Sequence, residues 1–130
     1  MPWTFLDFVT IRSSGEVFNE IHEWLNSKEV PKKAKAKINA RVLTLQGFPV
    51  FPEQYFSAYK GWSGLYELRI VSSGVQYRPF GFYGPSQGQF TLLVGSTEKG
   101  KVPTSTLKVA DERRKVVIAD PCRVMSHDPS

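Results

Sequence analysis

The sequence has little of what disulfide chemistry and metal binding require. It contains one cysteine, Cys122, so an internal disulfide cannot form. No metal-ligand partner stands at a recognisable spacing from this cysteine. These absences exclude a small secreted fold held together by disulfides, and they favour a reduced, cytoplasmic setting without a bound metal or cofactor.

A long apolar run is also missing. No stretch approaches the roughly 20 apolar residues that a membrane-spanning helix needs. The first residues, Met1 to Phe5, lack the positively charged start and the cleavage site of a secretory signal. The sequence therefore predicts no membrane partner and a cytoplasmic location.

Charge is abundant, and it is unbalanced. The chain of 130 residues carries 17 Lys and Arg against 12 Asp and Glu, a net charge of +5, which favours a polyanionic partner. Hydrophobic residues make up 41% of the chain, as is typical of one globular domain. We assign that domain to residues 1–118 and predict an irregular C-terminal tail over residues 119–130.

The N-terminal third predicts one strand and two helices. Residues 3–10 are aromatic and β-branched with period-two alternation, which indicates a strand. Ser13 to Glu16 resembles a capping box, and apolar residues at helical spacing follow it, so a helix is predicted to about residue 26. A second helix is predicted from Pro31 to Gly47.

Three strands and a last helix are predicted in the second half. The strands span residues 65–71, 75–83 and 89–94, and the helix spans residues 105–117. Connections as short as Ser72 to Gly74 force antiparallel pairing, because a parallel crossover needs a dozen or more residues. The order of elements indicates an α+β domain.

One stretch, "LLVGSTEKGKVP", matches the start of a phosphate-binding loop. Gly95, Gly100 and Lys101 have the spacing of that motif, in which backbone N–H groups surround a phosphate. The motif also needs Ser or Thr after the lysine and a strand–loop–helix context. Here Val102 and Pro103 follow, and the preceding strand belongs to an antiparallel meander, so we interpret the stretch as a basic turn before the last helix.

The strand residues are more informative. Period-two alternation places Glu67 and Arg69 on one face, and it groups Arg78 with Phe80 and Phe82. An arginine among aromatic residues can hold a phosphate while bases stack nearby. The alternative is an ordinary cross-strand ion pair with Glu67. The basic face of the second helix has two interpretations as well, a solvated surface or a site for an acidic partner.

These pieces together resemble the RelE/HigB toxin superfamily. The motifs on which this resemblance rests are "GLYELR" at 64–69, "YR" at 77–78, "FTLLVG" at 90–95, and Lys99 with "KVP" at 101–103. The resemblance covers residues 14–118 and is closest to the phage-derived, HigB-like branch. It implies an α+β fold with an antiparallel sheet of about four strands, two N-terminal helices packed on one face, and a C-terminal helix.

The resemblance also implies an activity, a site and partners. It implies the toxin of a type II toxin–antitoxin pair, which cleaves messenger RNA on the ribosome without a metal by attack of the 2′-OH. The implied catalytic residues are Arg78, Arg69, Glu67 as general base, and Lys99. We assign RNA binding to Lys101, Lys60, Arg41 and Lys37. The implied partners are the ribosome, messenger RNA and an antitoxin, a helix-turn-helix protein encoded by the adjacent gene.

The sequence departs from the family pattern at several positions. Pro79 follows the arginine and predicts an edge or a bulge, and Glu98 stands where the family has a basic residue. Family members usually supply a proton donor near the C-terminus, but here His127 is predicted to be exposed in a loose tail. Two alternatives therefore stay open: a catalytically degenerate module that binds RNA or protein, and a ParE-type gyrase inhibitor.

Overall fold

Strands dominate the structure, a computed structural model that describes residues 3–52, 56–98 and 100–129. Three helices lie in these residues, α1 (Glu20–Leu25), α2 (Lys32–Gln46) and α3 (Thr104–Ala119). The strands there are β1 (Thr4–Ile11), β2 (Val17–Asn19), β3 (Phe56–Ala58), β4 (Tyr66–Leu68), β5 (Ile70–Ser72), β6 (Val75–Tyr83), β7 (Gln89–Glu98) and β8 (Val124–Ser126). None of the helices among these residues is long and apolar enough to cross a membrane.

All eight strands join one mixed sheet. Its order is β2-β1-β7-β6-β4-β3, with β5 paired to β6 and β8 paired to β1. The pairing of β1 with β7 is parallel, and the other pairs are antiparallel. The predicted antiparallel sheet of about four strands with two N-terminal helices on one face is therefore wrong. Strand alternation revealed the long strands, but it carries no signal for the insertion of β1 beside β7.

The segment after β1 also differs from its prediction. The capping-box pattern predicts a helix from about residue 14, but Val17–Asn19 forms β2, which folds back on β1. The Arg12 amide donates to the Glu16 carbonyl at 2.8 Å, which closes this hairpin. The helix begins only at Glu20, where the Asn19 side chain accepts a hydrogen bond from the His22 amide at 2.8 Å. Asn19 is thus the N-cap that the sequence pattern assigned to the serines.

Other predicted elements are confirmed. The second and third helices occupy the predicted ranges within about two residues at each end, and β6 has the predicted bounds. The sequence predicts an edge or a bulge at Pro79, but Pro79 pairs in register with Gly95, and the irregularity in the pairing of β6 with β7 lies between Phe80 and Gly81. Pro79 lies in an interior strand of the sheet, because β6 pairs with β7 on one side and with β4 on the other.

Two buried apolar clusters hold the helices to the sheet. One joins α1 and α2 to the sheet and includes Trp24, Ile38 and Phe90. The other joins α3 to the sheet and includes Phe80, Leu93 and Leu107. Because side chains along a strand alternate between faces, β6 contributes Tyr77 to the first cluster and Phe80 to the second.

The end of the chain carries structure where the sequence predicts an irregular tail. Val124–Ser126 forms β8 antiparallel to β1, and the His127 amide donates to the Phe5 carbonyl at 3.0 Å. Three residues are too few for the period-two pattern to be distinguished from a loop. The C-terminal segment is therefore part of the sheet.

Candidate functional site

Three neighbouring strands bring the predicted site together. Glu67 lies on β4, Arg78 on β6 and Glu98 at the end of β7. Ser96 is the register partner of Arg78, and Glu98 is the partner of Gln76, two residues earlier on β6. Cross-strand partners point to the same side of a sheet, so these side chains share one face.

Arg78 lies between two carboxylates. Its Nε is 3.9 Å from Glu67 Oε2, and its Nη1 is 3.6 Å from Glu98 Oε1. Its Nη2 donates to the side-chain oxygen of Gln76. The side chains are 18% exposed for Arg78, 10% for Glu67 and 11% for Glu98, so water reaches them only in part. We refer to Glu67, Arg78 and Glu98 as the arginine cluster.

Several atoms of the arginine cluster are buried without a hydrogen bond to a described residue. They are Glu67 Oε2, Arg78 Nε and Glu98 Oε1. The other oxygen of Glu98, Oε2, accepts a hydrogen bond from the Ser96 hydroxyl at 3.0 Å. Glu67 Oε2 and Glu98 Oε1 each face the guanidinium within an ion pair, at 3.9 and 3.6 Å, so the groups attract one another without closing a hydrogen bond.

Burial and the neighbouring charges of the arginine cluster shift the pKa of Glu67. Burial raises this pKa above the ordinary glutamate value, because a charged carboxylate loses its hydration. Arg78 and then Arg69 act in the opposite direction and lower it, while Glu98 raises it through like-charge repulsion. A carboxyl whose pKa is raised toward neutrality is better suited to general acid–base catalysis than an ordinary one.

Arg69 lies next to the arginine cluster, in the gap between β4 and β5. Both strands pair with β6 in one register, Glu67 with Phe80 and Ile70 with Tyr77, so Arg69 falls opposite Arg78. The ladder is interrupted there because Pro79 on β6 has no N–H to donate. The predicted neighbours Arg69, Arg78 and Glu67 are thus brought together.

The basic residues of α2 reach the same strands from the other side. Arg41 Nη1 donates to the Arg69 carbonyl at 2.9 Å, and Lys37 Nζ donates to the Val71 carbonyl at 3.4 Å. Lys60 lies in the turn before β4 and Lys101 lies after β7, and both are exposed. Neither of these two lysines has a side-chain partner among the residues described. The predicted catalytic residue Lys99 lies outside the described residues, and its role stays a prediction.

Glu98 is the site residue that the sequence reasoning missed. The last long strand was expected to end at Val94, but β7 continues to Glu98. Alternation continued from Phe90 and Leu92 would have placed Ser96 and Glu98 on the opposite face, and the register shift between β6 and β7 brings them to the face of Arg78. The glycine interrupted the pattern, although it remains in the strand.

Gly95 has a packing role and not a phosphate-binding one. A Cβ built on it would lie 2.0 Å from Trp24 Cδ2, so the indole ring rests directly on the strand backbone. Trp24 also donates from Nε1 to the Thr97 hydroxyl at 3.2 Å. The glycine that begins the loop-like spacing is therefore part of the contact between α1 and β7.

His127 is buried and does not join the arginine cluster. Its Nδ1 lies 2.7 Å from Asp7 Oδ1, and its Nε2 lies 3.0 Å from Asn39 Oδ1. Asp7 Oδ2 accepts a second hydrogen bond, from Asn19 Nδ2, at 3.0 Å. The prediction of an exposed His127 is wrong, because β8 carries it into the space between β1 and α2. We refer to Asp7, Asn39 and His127 as the histidine cluster.

The arrangement offers acid–base and cationic chemistry on one sheet face. In the described part of the chain, no group of three His, Cys, Asp or Glu side chains is placed to hold a metal ion. The groups that can act on a ligand there are the guanidinium of Arg78 and the carboxyls on either side of it. This combination suits the binding of an anionic oxygen and the movement of a proton beside it.

Comparison with known families gives one match. The family model described as "Phage derived protein Gp49-like (DUF891)" matches residues 23–115, which is more than half of the chain. The matched segment runs from α1 into α3 and contains the whole arginine cluster. No curated protein and no solved structure matches the chain.

Proposed function

The chain belongs to the Gp49-like family of phage-derived proteins, a family of RelE/HigB-like toxins, and from this premise we propose that it is the toxin of a type II toxin–antitoxin pair. We place it in the HigB-like branch and propose that it cleaves messenger RNA on the ribosome. The observation that carries this proposal is the arginine cluster, in which a guanidinium and a carboxyl of raised pKa share one face.

Each residue of the site has a role in this reaction. Glu67 takes the proton of the ribose 2′-OH, and the 2′-oxygen then attacks the neighbouring phosphorus. Arg78, with Arg69 and Lys99, stabilises the negative charge that develops on the phosphoryl oxygens. The bond from phosphorus to the 5′-oxygen breaks, which leaves a 2′,3′-cyclic phosphate and a 5′-hydroxyl. These residues need no bound metal for this chemistry.

RNA binding is proposed for the basic residues around the site. Arg41 and Lys37 contact the backbone of residues 69–71, so they lie next to the strands that carry Glu67 and Arg69. Lys60, in the turn before β4, and Lys101, between β7 and α3, are exposed and add positive charge to the surface. Binding through lysines and arginines is expected to weaken steeply as the salt concentration rises.

An antitoxin is the expected protein partner. Family members occur in toxin–antitoxin pairs, and the excess of Lys and Arg in this chain favours an acidic partner. We propose that it is a small helix-turn-helix protein encoded by the adjacent gene. Co-expression of the two genes should cancel any growth arrest that the toxin alone produces.

The experiment is induced expression of the wild-type chain and of Arg78→Ala, with growth and cleavage of translated messages measured together. We expect the wild type to arrest growth and cleave messages, and Arg78→Ala to lose about 100-fold or more of the cleavage rate. Arg12→Ala is the control, because Arg12 is exposed and its side chain contacts Glu16 and the ring of Phe18, not the arginine cluster. A wild type that neither arrests growth nor cleaves messages contradicts the proposal, and DNA damage in place of cleavage indicates a ParE-type gyrase inhibitor.

One observation favours a second candidate, a non-catalytic module that binds RNA or protein. Arg78 already faces two carboxylates, so its positive charge is more than compensated before any ligand arrives. On this alternative, binding survives Arg78→Ala and no cleavage is seen with any variant. Gain of cleavage in Glu98→Lys, which restores the basic residue typical of the family, would identify Glu98 as the cause of the lost activity.

A further inference from the structure

The proposed reaction needs two proton transfers, and the site described so far accounts for one. Glu67 removes the proton from the 2′-OH, but the leaving 5′-oxygen must also gain a proton. His127 is not available for this step, because its two ring nitrogens are taken up by Asp7 and Asn39 in the histidine cluster. A proton donor has to be found among the groups that surround Arg78.

We propose that Glu98 is a second catalytic residue, which gives its proton to the leaving 5′-oxygen. This inference rests on the proposed function and adds to it a residue that departs from the family pattern. Glu67 and Glu98 approach the guanidinium at different nitrogens, Nε and Nη1, from the strands on either side of Arg78. A phosphate bound to that guanidinium therefore has one carboxyl group near each of its reacting oxygens.

The orientation of Glu98 supports this role. The Ser96 hydroxyl holds Oε2, and this leaves Oε1 on the side of Arg78, buried and without a hydrogen bond to any described residue. Ser96 is itself 6% exposed and lies directly opposite Arg78 in the sheet. The carboxyl group is thus held by a strand and not by a loop, as a precisely positioned catalytic group requires.

Glu98 shares the guanidinium of Arg78 with a second carboxyl group, that of Glu67. Among the described residues, Arg78 on β6 pairs with Glu98, and Glu67 on β4 lies close enough for Glu98 to raise its pKa by like-charge repulsion. A bound phosphodiester adds a negative charge to two carboxylates that share one guanidinium.

The step balances. The 2′-OH proton passes to the Glu67 carboxylate as the bond from the 2′-oxygen to phosphorus forms. The bond from phosphorus to the 5′-oxygen breaks, and the Glu98 carboxyl proton passes to that oxygen. Glu67 ends protonated and Glu98 ends ionised, and exchange of one proton with water restores the starting state. No oxidant, reductant or further reactant takes part.

The test measures single-turnover cleavage of a defined message on programmed ribosomes as a function of pH, for the wild type, Glu98→Gln and Glu98→Asp. We expect Glu98→Gln to cleave about 10²- to 10⁴-fold more slowly at saturation, with an unchanged or lower half-saturating concentration. The wild-type rate should fall at high pH as the acid is lost, and this fall should be absent in Glu98→Gln. Glu98→Asp should keep the fall, since it keeps an acid.

The matched control is Glu112→Gln, which changes an exposed glutamate on α3 and should behave as the wild type. If the wild type cleaves and Glu98→Gln cleaves within about threefold of it, or faster, the inference on Glu98 is overturned while the proposed function stands. If the wild type does not cleave at all, the proposed function fails, and the role of Glu98 fails with it. A slow Glu98→Gln that keeps the fall at high pH would show a structural role and would also overturn the inference.

Discussion

The histidine cluster and the arginine cluster are both buried and polar, but they differ in how completely their atoms are hydrogen-bonded. In the histidine cluster, Asp7, Asn39 and His127 contact one another at 2.7 and 3.0 Å, and none of their buried atoms lacks a partner. In the arginine cluster, the charged groups stand 3.6 and 3.9 Å apart, and three buried atoms have no hydrogen bond among the described residues.

This difference separates a structural role from a functional one. A fully hydrogen-bonded buried network rigidifies the fold, whereas unpaired buried groups cost free energy and are retained where they serve a ligand. The histidine cluster connects β1, α2 and the residue after β8. The arginine cluster connects three strands that already pair through their backbones. We therefore expect substitutions in the first to change stability and substitutions in the second to change activity.

The largest effect on stability is expected from Asp7→Ala. This change leaves the His127 ring and the Asn19 amide without their acceptor in the interior, so we expect a loss of about 3 kcal/mol in the free energy of unfolding. Urea denaturation followed by tryptophan fluorescence measures it. The control is Asp111→Ala, because Asp111 pairs with Arg114 and Lys115 on the surface of α3, where such pairs contribute less than about 1 kcal/mol. Equal losses in the two variants would contradict a structural role for the histidine cluster.

A smaller effect is expected from the titration of Glu67. Its pKa is raised in the folded state, so between the ordinary and the raised value the folded protein keeps a proton that the unfolded chain has lost. The free energy of unfolding should therefore fall as the pH rises through this window. Glu67→Gln removes the titrating group and should flatten the fall. Denaturation midpoints measured at several pH values above the ordinary glutamate pKa test this, and an unchanged slope in Glu67→Gln would contradict it.

The smallest effect on stability is expected from Glu98→Gln. The glutamine keeps the volume of the side chain and can keep the contact with Ser96, while one of two like charges beside Arg78 disappears. We expect a change of less than about 1 kcal/mol in the free energy of unfolding, in contrast to the large change in cleavage rate. The urea midpoint of this variant against the wild type measures the change. A loss as large as that of Asp7→Ala would mean that the arginine cluster is structural.

The sequence predicted the parts that depend on local pattern. The second helix followed from Pro31 and the apolar spacing behind it, and β6 followed from its alternation between two glycine-containing turns. The proximity of Glu67, Arg69 and Arg78 followed from the same alternation, because antiparallel strands with short connections have neighbours that can be deduced. These inferences needed no information from distant parts of the chain.

The parts that could not be predicted depend on contacts between distant residues. The parallel pairing of β1 with β7 joins residues more than 80 positions apart, and no local pattern encodes it. The burial of His127 needs Asp7 and Asn39, which lie 120 and 88 positions away. Glu98 was missed for a different reason, since Gly95 looked like a strand end while it is the site on which Trp24 packs.

The position of β1 has a consequence for synthesis of the protein. A ribosome releases β1 first, yet the strands that flank its first half, β7 and β8, are among the last to be made. Until Val124 to Ser126 have left the ribosome, β1 lacks β8, the strand that pairs with Leu6, Asp7 and Phe8. A nascent chain that stalls after α3 therefore lacks the finished sheet, because β8 follows α3 in the chain.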